Sequence, residues 1–245
     1  MTTKPVWQWN EMQQVGTDYA DLGEVERYEA RMGKFRDLPA EDAAILDALQ
    51  LPAGSQVLEI GTGSGHFSRA AVRAGHRVTA LDVSPTMLAY AKARAEAEGL
   101  QGIEFRNAGF LTFSGPSAAY DAVVSVAVLH HLPDVWKAVA LHNIHRWLKP
   151  GGMLLLGDVV FSWSGDNHAA CFESFINDCP QEVREGAIGH AAKEFSTLDW
   201  IMEGLLERAG FKILRATRGK ASFVQYLCQA KELTHTRSLS ACTSP

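Results

Sequence analysis

A run of alternating glycines between two strand-length segments constrains this chain more than any other feature. The segment Val57–Ile60 is followed by glycines at positions 61, 63 and 65, and a second apolar segment ends at Asp82. Glycines let the backbone approach a ligand closely, because they carry no side chain. A carboxylate at the tip of the neighbouring parallel strand can accept hydrogen bonds from both hydroxyls of a ribose. The run therefore predicts an open α/β sheet that binds a ligand containing a nucleoside.

The spacing of the glycines distinguishes two classes of nucleoside ligand. A dinucleotide site has the pattern G-x-G-x-x-G and seats a pyrophosphate on the helix N-terminus, but His66 stands where the third glycine would be. Glu59, just before the turn, would repel a pyrophosphate and attract a cation. S-adenosylmethionine carries a sulfonium, an ammonium and a ribose, and no phosphate. The spacing therefore favours S-adenosylmethionine over a nicotinamide dinucleotide.

Further segments follow the glycine run in a recognisable order. The five pieces are Glu59–Gly65, Asp82, Tyr120–Ser125, Leu129–Leu132 and Leu148–Gly152. Through them, roughly residues 40 to 161 resemble the class I S-adenosylmethionine-dependent methyltransferases, and in particular small bacterial members of the class. The resemblance implies a doubly wound, mostly parallel, seven-stranded Rossmann-like sheet that ends in an antiparallel hairpin. It also implies S-adenosylmethionine as the cofactor and methyl transfer as the activity.

The candidate cofactor site follows from the motif and from the resemblance. The glycine turn is expected to approach the methionine part of the cofactor, and Asp82 its ribose. Val83 and Met87 are expected to flank the adenine, although Met87 can equally belong to the core. Asn107 stands where the family usually has an acid that faces the adenine. The predicted cofactor-binding residues are Tyr19, Glu59, Gly61, Thr62, Gly63, Gly65, Asp82, Val83, Met87, Asn107, Ala108 and Val126.

His130 and Asp158 are the candidate catalytic residues, because they lie near the carboxyl ends of the fourth and fifth predicted strands, at about residues 120–126 and 152–160, along the same edge of the sheet. The alternatives are that Leu-His-His-Leu is a packing and turn signature and that Asp158 merely ends a strand. The adjacent side chains of His130 and His131 point apart, so they are not expected to chelate a metal together. No metal site is predicted. A general base is needed only if the methyl acceptor carries a proton at working pH.

The composition is that of an ordinary globular protein, with 47% hydrophobic and 21% charged residues and a net charge of −5. No basic stripe favours nucleic acid, no apolar run has membrane-spanning length, and no secretion signal is visible. Four cysteines without C-x-x-C spacing predict reduced thiols and a cytoplasmic location. The expected partner is a small-molecule substrate, and a homodimer is possible.

The chain divides into three predicted parts. Residues 1–38 are predicted to form an N-terminal helical cap, residues 39–231 the methyltransferase domain, and residues 232–245 a disordered tail. Residues 162–195 are predicted to form a lid insertion, whose Trp163, Phe172 and Phe175 are expected to line the substrate pocket. Ser196–Asp199 is expected to cap the next helix, and Gly151–Gly152 to follow a helix end.

The expected function is methyl transfer from S-adenosylmethionine to a small organic molecule by in-line displacement. One alternative is a cofactor-binding sensor or subunit without catalysis, which the binding motif allows. The other is a nicotinamide-dependent oxidoreductase, which His66 disfavours. The sequence names neither the acceptor atom nor the pathway.

Overall fold

The described part of the chain builds one mixed sheet with helices on both faces. The computed structural model describes residues 5–13, 23 and 36–232. The strands are β1 (Gln56–Ile60), β2 (Arg77–Asp82), β3 (Ile103–Asn107), β4 (Tyr120–Val126), β5 (Leu148–Phe161), β6 (Thr197–Leu198), β7 (Phe211–Arg218) and β8 (Phe223–Ala230). The α-helices are α1 (Leu38–Leu49), α2 (His66–Arg73), α3 (Pro85–Ala97), α4 (Asp134–Trp147), α5 (His168–Asp178), α6 (Arg184–Lys193) and α7 (Asp199–Arg208).

The strand order β3-β2-β1-β4-β5-β8-β7 confirms the predicted sheet. Strands β1 to β5 pair with one another in parallel, and β8 pairs antiparallel with both β5 and β7. The short strand β6, which the sequence does not predict, pairs with the end of β5. The chain runs outward from β1 to β3 and then returns to place β4 on the other side of β1. This reversal opens a crevice at the carboxyl ends of β1 and β4.

Both faces of the sheet are covered, which explains why its strands are nearly continuous apolar segments. Val57 and Leu58 are adjacent in β1, so they point to opposite faces. Leu58 packs in a cluster with α4 and α7, in which Trp147 is fully buried. Val57 packs in a second cluster with α1 and α2. The two clusters fix β1 between them and thereby fix the position of the glycine turn that follows.

Two expectations about helix ends are wrong. The helix α7 begins at Asp199 without a side-chain cap, because Thr197 pairs instead with Val160 in the sheet. The pair Gly151–Gly152 does not follow a helix end, because α4 ends at Trp147 and β5 begins at once. A Cβ on Gly152 would lie 2.9 Å from a backbone carbonyl oxygen. This glycine therefore allows close packing within the sheet.

The predicted insertion contains α5, a 3₁₀ turn at Gln181–Val183, and α6. Its apolar side chains form a separate small core with Phe161 at the end of β5. Tyr19, most of the predicted N-terminal cap and most of the tail lie outside the described residues. Their structure and the domain limits therefore stay predictions. Among the described residues, no helix has both the length and the apolar character that crossing a membrane requires.

Candidate active site

The main cavity lies where the strand order reverses, at the carboxyl ends of β1, β2 and β4. Nine of the twelve predicted cofactor-binding residues line it: Glu59, Gly61, Thr62, Gly63, Asp82, Val83, Met87, Ala108 and Val126. Further walls come from α1, from the segment after β3, and from the segment after β4. Glu59 and Asp82 bring carboxyls from the ends of β1 and β2, whereas Phe110, Val126 and Leu132 give other parts of the wall an apolar surface.

The glycine turn places backbone rather than side chains against this cavity. The amides of Gly61 and Thr62 both donate to the Leu81 carbonyl, each at 2.8 Å, which fixes the turn against β2. Gly61 has φ +76°, and a Cβ there would lie 2.2 Å from Val128. Gly63 has φ +52°, and a Cβ there would meet no atom within 4 Å. Gly61 is therefore required by packing, whereas Gly63 faces open space that a ligand can occupy.

The third glycine of the turn, Gly65, contributes to helix packing. Gly65 has φ +77° and caps the N-terminus of α2, and a Cβ there would lie 2.9 Å from the Cβ of Ala91 in α3. It does not line the cavity. Gly65 therefore allows α2 and α3 to pack closely, and its predicted role in cofactor binding stays a prediction.

Asp82 ends β2 and is held by two backbone amides. Its Oδ2 accepts from Gly63 N and its Oδ1 from Ser84 N, both at 2.8 Å. Burial raises the pKa of this carboxyl against the opposing effect of those hydrogen bonds. Ser84, and not Asp82, caps α3 by accepting from Met87 N at 3.2 Å. Since a carboxylate has about four acceptor sites, Asp82 retains acceptor capacity toward the cavity.

Glu59 gives the cavity a buried carboxyl that is only 6% exposed. Its Oε2 accepts a hydrogen bond from Thr62 Oγ1 at 2.7 Å and another from Ser68 Oγ. Burial raises the pKa of Glu59 to about 7, although both hydroxyl hydrogen bonds and the nearby His66 oppose this shift. A cation in the cavity would favour the ionised carboxylate.

Asn107 is not placed as predicted. Its amide nitrogen donates to the carbonyls of Asp82 and Val83, at 2.9 and 3.0 Å, and it does not line the cavity. An acid from the N-terminal segment reaches this end of the cavity instead. Glu11 is buried, and its Oε1 accepts from Leu111 N at 2.8 Å and from Thr112 Oγ1 at 2.7 Å. No local pattern in the sequence marks Glu11, because only tertiary packing brings this distant segment to the sheet edge.

The predicted catalytic pair is also placed differently. Both ring nitrogens of His130 are engaged: Nδ1 donates to Asp158 Oδ1 at 2.6 Å, and Nε2 lies 3.2 Å from Glu194 Oε2. Neither His130 nor Asp158 lines the cavity, and Asp158 is 1% exposed. The neighbouring His131 lines it instead. The 3₁₀ turn Leu129–His131 keeps the two rings in contact, with centroids 4.3 Å apart, so the expectation that they point apart is wrong.

His131 brings a neutral imidazole to the cavity wall. Burial lowers the pKa of His131 to about 4, and the neighbouring His130 adds to this effect. Its Nδ1 is buried and has no hydrogen-bond partner among the described residues. Ala127, which directly follows β4, has φ +58°, and this backbone conformation is strained for a residue with a Cβ. The end of β4 therefore combines a neutral acceptor with backbone strain of the kind that functional sites often carry.

The aromatic residues of the insertion do not line this cavity. Phe172 and Phe175 pack against Phe161, with ring centroids 4.8 and 5.3 Å away. Trp163 lines a separate, shallower cavity between the insertion and β8. The expectation that these three rings form the substrate pocket is therefore wrong for the main cavity, because they form the small core of the insertion itself.

The doubly wound sheet, the glycine turn and the acidic strand tip define a Rossmann-like protein of the methyltransferase class. Residues 57–152 match the family model for a methyltransferase domain. An uncharacterized methyltransferase of Bacillus subtilis, YrrT, is 32% identical over 171 residues, which cover 69% of this chain and 75% of that protein. One from Geobacillus kaustophilus is 27% identical over 227 residues, which cover 90% and 100%.

The solved structures agree on the fold. The crystal structure of a SAM-dependent methyltransferase from Aquifex aeolicus has a TM-score of 0.61 and 19% identity, and the match covers 85% of this chain and 98% of that one. The matches in sequence identify the family, and the likeness in structure agrees with them. The chain belongs to the S-adenosylmethionine-dependent methyltransferase family and is a methyltransferase.

Proposed function

We propose that this protein transfers the methyl group of S-adenosylmethionine to a small organic molecule bound in the main cavity. One observation carries the proposal: the carboxyls of Glu59 and Asp82 and the open face of Gly63 converge at the same end of the cavity. The carboxyls suit the ammonium and the ribose of this cofactor, and the open face of Gly63 lets its methionine part lie close to the protein backbone. When bound, the cofactor supplies an electrophilic methyl group.

Different residues of the cavity suit the ribose and the adenine of the cofactor. The remaining acceptor sites of Asp82 suit the ribose hydroxyls. Val83 and Met87 provide apolar walls for an adenine ring, and Glu11 provides the acid that the family usually has at the end of the third strand. Tyr19, which lies outside the described residues, remains a predicted cover for this site.

The rest of the cavity suits an acceptor of moderate size. Phe110, Val126, Val128 and Leu132 line it and exclude water from the reacting atoms. Holding an acceptor in line with the methyl group removes about 7–11 kcal/mol of the barrier by orientation alone. His131 is the side chain that can accept a proton or a hydrogen bond from an acceptor hydroxyl or thiol, in place of the predicted His130. A small acceptor also agrees with the net charge of −5, which disfavours nucleic acid.

The test combines calorimetry with transfer of a labelled methyl group. The full-length protein should bind S-adenosylmethionine at one site and methylate one or more compounds of a metabolite extract. Asp82→Ala should weaken cofactor binding about 100-fold, because it removes charge-assisted hydrogen bonds worth about 1.5–3 kcal/mol each. The exposed Asp166→Asn is the matched control and should leave binding unchanged.

Two outcomes would contradict the proposal. Asp82→Ala with native affinity would remove the assigned ribose contact. Cofactor binding without any methylated product would favour the sensor hypothesis. In the same assay, His131→Gln should reduce turnover and leave cofactor affinity within a few-fold of the native value, whereas unchanged turnover would exclude His131 from proton transfer.

A further inference from the structure

Behind the cavity wall, three side chains from two distant segments of the chain meet at one point. His130 lies in the 3₁₀ turn after β4, His190 in α6, and Glu194 just after α6. Their available ligand atoms all lie within 4.8 Å of one another. His190 Nδ1 is 2.5 Å and His130 Nε2 is 3.2 Å from Glu194 Oε2. None of the three lines the main cavity, so the cluster is separate from the proposed cofactor site.

Both imidazoles are oriented by a second partner. His130 Nδ1 donates to Asp158 Oδ1, and Asp158 Oδ2 also accepts from the backbone amide of His130 at 2.9 Å. His190 Nε2 lies 2.6 Å from Ser196 Oγ. An outer acceptor that fixes the far nitrogen of a histidine, and so aims the near nitrogen inward, is the usual support of a metal-binding histidine. The outer partners leave Nε2 of His130 and Nδ1 of His190 facing the same carboxylate.

The cluster contains the charges that a dication needs. Glu194 faces both imidazoles directly, and Asp158 lies behind His130 at its Nδ1. A metal ion would replace the protons that the two imidazoles share with Glu194, because histidine binds metal in its neutral form. The two carboxylates would then balance the charge of a divalent ion.

We propose that His130, His190 and Glu194 bind one divalent transition-metal ion, with Zn²⁺ as the probe, and that this ion ties the insertion to the end of β4. Two imidazoles and one carboxylate are ligands typical of Zn²⁺ and its first-row neighbours, whereas Mg²⁺ and Ca²⁺ prefer oxygen ligands. Ligand bonds of about 2.0–2.2 Å to Zn²⁺ require only small side-chain movements from the observed positions. A fourth position is left for water.

The proposed tie explains how the insertion is held. Its own core is small, centred on Phe161, Phe175 and Ala187. The ring of His190 also packs on Phe175, with centroids 5.7 Å apart, and Phe195 N donates to the His130 carbonyl at 2.8 Å. A metal ion at this point would therefore join three features: the insertion core, the segment after α6 and the wall that carries His131.

The test uses the full-length protein after chelation and desalting. Calorimetric titration with ZnCl₂ should show one equivalent bound and a raised melting temperature, because a ligand of the folded state stabilises it. His190→Ala and Glu194→Gln should each weaken binding at least tenfold. The exposed His142→Ala, on α4, is the matched control and should bind as the native protein does. Circular dichroism of each variant confirms folding.

Any of four outcomes would overturn the inference. The first is native protein that binds no stoichiometric Zn²⁺ at about 100-fold molar excess. The second is equal binding by the native protein and both folded ligand variants. The third is a Co²⁺ complex with a thiolate charge-transfer band, which would place the metal on cysteine. Slower amide exchange of residues 184–193 on metal addition would support the tie, and unchanged exchange would contradict it. None of these outcomes depends on cofactor binding.

Discussion

The glycine turn and the histidine cluster lie at the same edge of the sheet, but they are built in opposite ways. The turn takes its groups from one continuous stretch and from the neighbouring strand tip, with Gly63 N and Asp82 Oδ2 joined at 2.8 Å. The cluster takes its groups from three segments: His130 from the turn after β4, Asp158 from β5, and His190 and Glu194 from the C-terminal end of α6. One site is therefore specified locally and the other by assembly of the whole edge.

This difference also separates two kinds of buried carboxyl. Glu59 and Asp82 both have raised pKa values, because burial outweighs their hydrogen bonds. Asp158 and Glu194 have lowered pKa values, because imidazoles face them and overcome the effect of burial. Among the described residues neither carboxyl of the first pair forms an ion pair, although His66 lies near Glu59, so this pair suits a cationic ligand. The second pair is already balanced, which suits a structural role more than contact with substrate.

The largest expected effect comes from breaking the histidine cluster. Asp158→Ala leaves His130 with one carboxylate fewer in a buried site, and losing one partner of a buried pair costs about 3–5 kcal/mol. The free energy of unfolding, measured by urea denaturation, should fall by that amount. Cofactor affinity should change little, because Asp158 does not line the cavity. If Asp158→Ala lost cofactor affinity and kept its stability, Asp158 would belong to the cofactor site and would not have the structural role assigned here.

The next effect compares two glycines of the turn. Gly61→Ala should destabilise the protein strongly, because left-handed strain of about 1–2 kcal/mol adds to overpacking against Val128 of about 1–3 kcal/mol. Gly63→Ala should incur only the strain, since its Cβ meets open space. Its loss of cofactor affinity should nevertheless be the clearer effect, because that Cβ enters the cavity. Denaturation and calorimetry on both variants measure this contrast, and equal stability losses would contradict it.

The smallest effect is a pH dependence that belongs to Glu59. The folded protein holds the Glu59 proton up to about pH 7, whereas the unfolded chain releases it near 4.5. Its stabilising contribution is therefore complete below about pH 4.5 and is lost as the pH rises through about 7. A cationic cofactor binds the ionised form, so its affinity should rise about tenfold from pH 5.5 to 7.5.

The matched variants make that prediction specific. Glu59→Gln should bind the cofactor more weakly at pH 7.5 and should show a flatter profile. The exposed Glu96→Gln should follow the native protein at every pH. If Glu59→Gln shows the same pH dependence of cofactor affinity as the native protein, a group other than Glu59 is responsible for it.

How much can be predicted from the sequence depends on how local each feature is. The apolar segment at residues 57–60, the segment that ends at Asp82 and the piece at residues 120–125 lie in β1, β2 and β4, because apolar patterns and glycine breaks act over neighbouring residues. The cap at Ser84 is also predictable, whereas the expected cap at Ser196–Asp199 fails because a strand pairing claims Thr197. Local signals hold wherever no distant segment competes for the same groups.

The sequence by itself determined the parallel sheet, the turn at positions 61–65 and the carboxylate at position 82. These features depend on apolar segments of strand length and on the backbone freedom of glycine. Only the tertiary structure decided that Glu11 reaches the cavity, that His131 faces it and that His130 turns to Asp158. Those outcomes depend on which distant segments pack together and on which buried charges find partners. No spacing along the chain encodes such contacts.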